Sequence, residues 1–281
     1  MVSNYINVNN IRIHYIEEGT GELVVLLHGF PEFWYGWRNQ IPVLSKKYRV
    51  VAPDMRGYNL TDKPQNVSDY KIEILAKDIA DLIKGLGAEK AIVVGHDWGA
   101  AVAWAVAAFH PEVVKKLAIL NVPHPGEMKR AFESFNLAQW KKSWYIFFFQ
   151  LPFLPEKMIS RDDFFERSFE RLSMNKNAFN QEDIQKYKEA FKQPGAARAA
   201  IGYYRAAFRN ILSSLPMPKI QAPVLMLWGE HDIALGKELT YRTKDYCENA
   251  LEIKYDLTSG HFVQHDNPDW VNENLLEFFK P

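Results

Sequence analysis

Gly95-His96-Asp97-Trp98-Gly99 decides how this chain is read. The apolar run Ala91-Ile92-Val93-Val94 leads into it, and an alanine-rich helical pattern, Ala100 to Phe109, leads out and stops before Pro111. A strand, a turn between two glycines and a helix make an elbow of the form Gly-x-nucleophile-x-Gly. Glycines let the backbone pass close through such a turn, which pushes residue 97 out over the end of a sheet. A carboxylate held there can attack a saturated carbon and leave an alkyl ester on the enzyme. The plain alternative is an aspartate that caps the following helix.

Two later stretches favour the chemical reading, because an elbow of this kind asks for an acid and then a histidine further along the chain. Gly229-Glu230-His231-Asp232 follows the apolar run Val224 to Trp228, and Ser259-Gly260-His261-Phe262 follows Leu251 to Tyr255. Asp232 is assigned to orient His261, and His261 to activate water. His231 and His265 lie nearby but outside the motif positions, and read as structural or surface residues. His28-Gly29-Phe30-Pro31 closes a further apolar run, Leu23 to Leu27. A loop there supplies the second oxyanion donor, so the backbone N–H groups of Phe30 and Trp98 are expected to hold the developing anion. His28, Phe30, Pro31 and Trp98 are the expected substrate contacts, and Phe30-Pro31 is a candidate cis peptide.

Working outward, Arg49 to Ala52 and Leu117 to Leu120 add two more short apolar runs, and Ile11 to Ile16 alternates as a half-buried strand does. Continuous apolar runs suit strands covered on both faces. Helical patterns lie between them at Ile74 to Leu86, Ala100 to Phe109 and Trp270 to Phe279. The alternation predicts an α/β fold with a mostly parallel, doubly wound sheet, and ligands beyond the carboxyl ends of its strands. From about residue 126 to 215 no strand is expected. Helical stretches at Phe132 to Phe149, Arg161 to Leu172, Gln181 to Phe191 and Ala196 to Leu212 predict an inserted helical cap, or lid. Residues 1–125 and 216–281 then form the core domain.

His28 to Trp37 (HGFPEFWYGW), Asp54-Met55-Arg56-Gly57-Tyr58 with Thr61-Asp62-Lys63-Pro64, and GHDWGA at Gly95 to Ala100 together resemble the epoxide hydrolases of the α/β-hydrolase fold. The resemblance covers nearly the whole chain. One departure is Asn59, where relatives often carry glycine; asparagine also tolerates a left-handed backbone. The resemblance implies a covalent ester on Asp97 and two lid tyrosines that protonate the epoxide oxygen. Tyr145, in the stretch ending at Gln150, matches the first, and Tyr204, before Arg205, matches the second, with Tyr203 as fallback. A phenol is a neutral donor at pH 7, which suits the role; plain packing residues are the alternative.

Rival readings of two kinds, dehalogenases and a non-catalytic binder, stand beside this one. Haloalkane dehalogenases share the aspartate, histidine and acid but need two donors for halide. Trp98 offers one, Phe30 stands where an asparagine would supply the other, and Trp140 or Trp144 would have to replace it. Fluoroacetate dehalogenases use arginines just after the nucleophile, where this chain has Trp98-Gly99-Ala100-Ala101. The other rival is a non-catalytic binder of a small hydrophobic ligand, since fold alone does not give function.

The composition sets outer bounds. The 281 residues carry 34 Lys and Arg against 34 Asp and Glu, so no charge bias points to nucleic acid. The single cysteine, Cys247, rules out a disulfide framework within one chain, fits a reducing compartment, and reads as a structural thiol in a polar helical stretch. The N-terminus lacks the pattern of a signal peptide, and a cytoplasmic location is expected. The apolar segment Trp144 to Leu154 falls short of the ~20 residues a membrane span needs. It is expected to line a pocket or pack in the core rather than touch a membrane. No cofactor or metal site is expected, and the predicted partner is a small lipophilic epoxide.

Overall fold

The computed structural model describes residues 1–134, 141–210 and 217–280. Its centre is an eight-stranded sheet in the order β1-β2-β4-β3-β5-β6-β7-β8. The strands are β1 Val2–Val8, β2 Ile11–Glu18, β3 Leu23–Leu27, β4 Arg49–Pro53, β5 Ala91–His96, β6 Val114–Leu120, β7 Val224–Gly229 and β8 Leu251–Asp256. β1 pairs with β2 and β2 with β4 antiparallel, while all pairings from β4 through β8 are parallel. This is the α/β fold that the alternation of runs and helices predicts.

The helices are α1 Ile41–Leu44, α2 Ile72–Gly85, α3 Trp98–Phe109, α4 Pro125–Glu133, α5 Trp144–Phe148, α6 Leu154–Ile159, α7 Phe164–Leu172, α8 Gln181–Lys192, α9 Ala196–Asn210, α10 Val263–Asp266 and α11 Pro268–Phe279. Successive strand residues point to opposite faces. Val25, Leu27 and Val93 therefore join a core beneath α2 and α3, whereas Val24, Leu26 and Ile92 join one beneath α1 and α11. Covering both faces explains why β3 and β5 read as continuous apolar runs.

One strand goes unforeseen and two expectations change. β1 has no apolar pattern to give it away, because its side chains are largely exposed. Asn9 and Asn10, at φ +44° and +61°, form the two-residue hairpin that joins it to β2, a turn that needs positive φ at both positions. The stretch Phe132 to Phe149 is not one helix: α4 ends at Glu133 and α5 starts at Trp144, with 135–140 outside the described residues. Cys247 is buried beside an isolated bridge to Ile220 rather than helical, and burial pushes its thiol up to about 11, which leaves it inert.

Among the described residues, the segment between β6 and β7 contains α4 to α9 and no strand. The apolar segment Trp144 to Leu154 divides within itself. Phe149 is buried, but Trp144, Leu151, Phe153 and Leu154 are exposed, so pocket or core accounts for only part of it. No described helix is long and apolar enough to cross a membrane.

Candidate active site

The chain leaves β3 for β4 on one side and returns to β5 on the other, so β3 and β5 flank a switch point of the sheet. A crevice opens there, beyond the strand ends. His28-Gly29-Phe30 follows β3, and Asp97 follows β5. Asn121 follows β6, Asp232 lies three residues past β7, and His261 lies in the loop after β8.

Asp97 occupies the elbow at φ +48° and ψ −122°, a conformation that costs a non-glycine residue about 1–3 kcal/mol. Its neighbours make the turn sterically possible. A Cβ on Gly99 would lie 2.1 Å from the carbonyl oxygen of Leu27, and one on Gly29 would lie 2.3 Å from the Asp97 Cβ. The two glycines thus let helix α3 and the β3 loop close on the nucleophile. The Phe30 N–H donates to Asp97 Oδ1 at 2.6 Å. Trp98 begins α3, where the first N–H groups of a helix have no partner within it. The Phe30–Pro31 peptide is cis, and the Glu32 N–H closes the turn on the Gly29 carbonyl at 2.9 Å.

The other Asp97 oxygen, Oδ2, lies 3.5 Å from His261 Nε2, and His261 Nδ1 lies 2.8 Å from Asp232 Oδ2. Asp232 is itself fixed: Oδ1 accepts from the N–H groups of Ala234 (2.7 Å) and Leu235 (2.9 Å), and Oδ2 from Asn121 Nδ2 (2.9 Å). Burial works against a charged His261, but the Asp232 and Asp97 carboxylates outweigh it and push the imidazole up to about 10. Burial also opposes ionisation of Asp97 and Asp232, and His261 in turn holds both below the usual carboxylate range. At neutral pH the resting site is a cation between two anions.

Tyr204, from α9, is buried with its ring edge-on to Trp98 (centroids 4.9 Å) and Phe30 (5.6 Å). Tyr145, from α5, meets Tyr204 at 6.0 Å. Burial raises both phenols, and the charge of Asp97 raises them further, so both stay protonated as donors facing the nucleophile's field. Phe149, Ile159 and Ile201 close an apolar wall around Tyr204.

Tyr203 points elsewhere: its hydroxyl donates to the Arg56 carbonyl at 2.7 Å inside the core, so the fallback is not needed. His28 does not fit its expected substrate contact. Its Nε2 accepts from the Met55 N–H at 3.0 Å and its Nδ1 donates to the Gly29 carbonyl at 3.0 Å, which leaves neither nitrogen free. It braces the loop instead. Pro31 is buried within the same turn. His231 bonds the Leu257 carbonyl at the exposed end of β8. Trp144 is 49% exposed, which is wrong for a halide donor, and Trp140 lies outside the described residues.

Sequence patterns give little hint of the buried polar cluster beneath His261. His96 Nε2 donates to the His261 carbonyl at 2.9 Å, and its Nδ1 faces Glu32 and Gln264. Glu32 accepts from His265 Nε2 (2.8 Å), Tyr187 (3.1 Å) and Gln264 (3.1 Å). Burial, then the Arg38 guanidinium, push His265 down to about 4, so the neutral ring accepts from Arg38 at Nδ1 and donates to Glu32. Burial opposes ionisation of Glu32, but its donors hold it well below the usual range. The only signal in the sequence is a lone carboxylate inside the aromatic stretch HGFPEFWYGW.

Comparison with known proteins agrees with this fold. The family described as alpha/beta hydrolase fold matches residues 22–268. The AB hydrolase superfamily protein YfhM of Bacillus subtilis is 44% identical, over 98% of this chain and 97% of its own length. Epoxide hydrolase 1 of Caenorhabditis elegans is 41% identical, over 98% of this chain and 70% of its own. A variant of an epoxide hydrolase from Bacillus megaterium, complexed with its product, a naphthyloxy-propanediol, superposes with a TM-score of 0.89 at 33% identity, over 98% of this chain and 99% of that one.

Proposed function

The chain belongs to the alpha/beta hydrolase fold family, in the branch of the epoxide hydrolases, and from that premise we propose that it opens lipophilic epoxides to vicinal diols through an ester on Asp97. Asp97 Oδ2 attacks an epoxide carbon and the carbon–oxygen bond breaks. Tyr145 and Tyr204 donate to the departing oxygen, and one phenol proton moves to it. The new ester removes one of the two negative charges that hold His261 protonated. Its proton passes through solvent to the phenolate and restores the phenol, and the neutral ring, still oriented by Asp232, takes a proton from water. The resulting hydroxide adds to the ester carbon. Negative charge collects on Oδ1, where the N–H of Phe30, joined by that of Trp98, stabilises it. Collapse releases the diol and restores the carboxylate. The proton of the added hydroxyl goes to the leaving alkoxide, and His261 ends protonated as it began.

The carrying observation is a carboxylate on a strained elbow, with one oxygen on a backbone N–H and the other toward a charged imidazole, beneath one buried phenol, Tyr204, and one half-buried, Tyr145. Residues 126–215 serve as the cap that brings those phenols over a core of residues 1–125 and 216–281. The apolar wall suits lipophilic substrates, and an aryl glycidyl ether would be a fitting first probe, given the diol bound to the relative from Bacillus megaterium. His261→Gln should stop the reaction at the ester. Intact-mass spectrometry of that variant after exposure to styrene oxide should show one added substrate mass on the Asp97 peptide; an unmodified protein would refute the covalent route.

A further inference from the structure

Leu151-Pro152-Phe153-Leu154 is a run of four apolar residues, all exposed. Phe153 is 83% exposed and Leu154 56%, and Trp144 and Phe208 are open as well. Single exposed apolar residues need no account, but a continuous run does. The backbone displays it: Phe153 sits at φ +63°, a left-handed conformation that bulky side chains rarely adopt. Arg205 fastens the loop from beneath, donating to the carbonyls of Phe149 (3.1 Å) and Leu151 (2.7 Å) and pairing with Glu156 (2.6 Å). The loop is thereby tied to α9 next to Tyr204, and the exposed Trp144 adjoins Tyr145.

Charge frames the run. Lys141 lies three residues before Trp144, Lys157 three residues after Leu154, and Arg209 follows Phe208; all three cations are exposed. Residues 125–210 hold 15 Lys and Arg against 10 Asp and Glu, in a chain whose net charge is zero. We infer that the 151–154 loop, with Trp144 and Phe208, docks on an anionic lipid surface. Leu, Phe and Trp side chains enter the boundary between headgroups and acyl chains, while the flanking cations meet anionic headgroups. A symmetric pairing with a second copy would set the same cations against each other, which disfavours it. Docking would bring the tyrosine-bearing helices to the phase where lipophilic epoxides dissolve. That last clause rests on the proposed reaction; the docking itself does not.

Co-sedimentation of the whole protein with phosphatidylcholine vesicles, made with and without phosphatidylglycerol, tests it. Binding should favour the anionic vesicles and fall about tenfold or more in the double variant Phe153→Ser, Leu154→Ser. Lys141→Glu with Lys157→Glu, a change of charge alone, should weaken binding to the anionic vesicles only. Circular dichroism checks that both variants fold. No sedimentation of the parent protein, or equal sedimentation of the serine variant, overturns the proposal. So does a dimer in light scattering that the serine variant abolishes while vesicles bind nothing. Turnover of a small water-soluble epoxide, run alongside, reports separately on the reaction: vesicle binding without turnover leaves docking intact and sinks the chemistry.

Discussion

The two halves of the candidate site are built by different physics. The half supplied by strand ends is held by charge and hydrogen bonds, with Phe30 on Asp97 at 2.6 Å and Asp232 on His261 at 2.8 Å. The half supplied by the helical segment is held by ring packing, with Tyr204 against Phe149, Trp98 and Phe30 at centroid distances of 4.6–5.6 Å. Charged hydrogen bonds are directional and fix atoms; aromatic contacts fix planes, and the Tyr204 oxygen, which accepts from Trp98, keeps its own O–H to donate to a ligand. A nucleophile fixed by hydrogen bonds beneath phenols held by ring packing is the arrangement that the proposed opening of an epoxide by Asp97 uses.

Breaking the rigid half should cost most. Asp97→Ala removes the attacking atom and should lower diol formation at least ~10⁴-fold, measured by chromatography with styrene oxide. Substantial residual turnover would move the chemistry to another residue. The ring-packed half should show redundancy. Tyr145→Phe and Tyr204→Phe should each leave measurable ester formation in single-turnover experiments, while the double variant should lose ~10²–10⁴-fold. Full activity in the double variant would reduce both phenols to packing.

The comparison sharpens in the titration of His261, which burial lowers and the two carboxylates of the rigid half raise. Its folded value, about 10, lies above the 6.5 of free imidazole. A raised folded value means stability that is fully present below the unfolded value and is lost as pH rises through the folded one. Asp97→Asn deletes one of the two carboxylates facing the ring. The imidazole should then titrate below about 10, read by nuclear magnetic resonance, and the alkaline loss of stability should move to lower pH. An unchanged titration would mean that Asp232 alone sets the value, and that ester formation does not release the base.

The same division governs how much of the molecule is legible in its sequence. Short apolar runs ending in Gly, His or Asp mark strand ends, and these place Asp97, Asp232, His261 and the Phe30 loop at one edge of the sheet. Asn121 also follows a strand, yet it stays hidden, because an amide that only steadies another side chain has no pattern of its own. Glu32 and His96 lie inside HGFPEFWYGW and GHDWGA, but their partners Gln264 and His265 come from more than 160 positions away, a separation that local spacing cannot reveal. In the helical segment, periodicity locates helices but not which face turns inward. The run Trp144 to Leu154 shows the consequence: largely apolar in sequence, it divides within itself, with Phe149 turned into the wall and Trp144, Leu151, Phe153 and Leu154 left at the surface.

Tyr203 and Tyr204 put this most sharply, because neighbours on one helix face the two different environments. The Tyr203 hydroxyl donates to the Arg56 carbonyl inside the core, whereas that of Tyr204 lies in the field of Asp97. Tyr203→Phe deletes one buried hydrogen bond and leaves the Arg56 carbonyl without that donor, so it should cost about 1–3 kcal/mol in urea unfolding and leave the rate of ester formation unchanged. Tyr204→Phe should do the reverse, slowing ester formation with little change in stability. If Tyr203→Phe slowed the chemistry as much as Tyr204→Phe, the helix would act through its position as a whole. The separation between a structural and a reacting phenol would then fail.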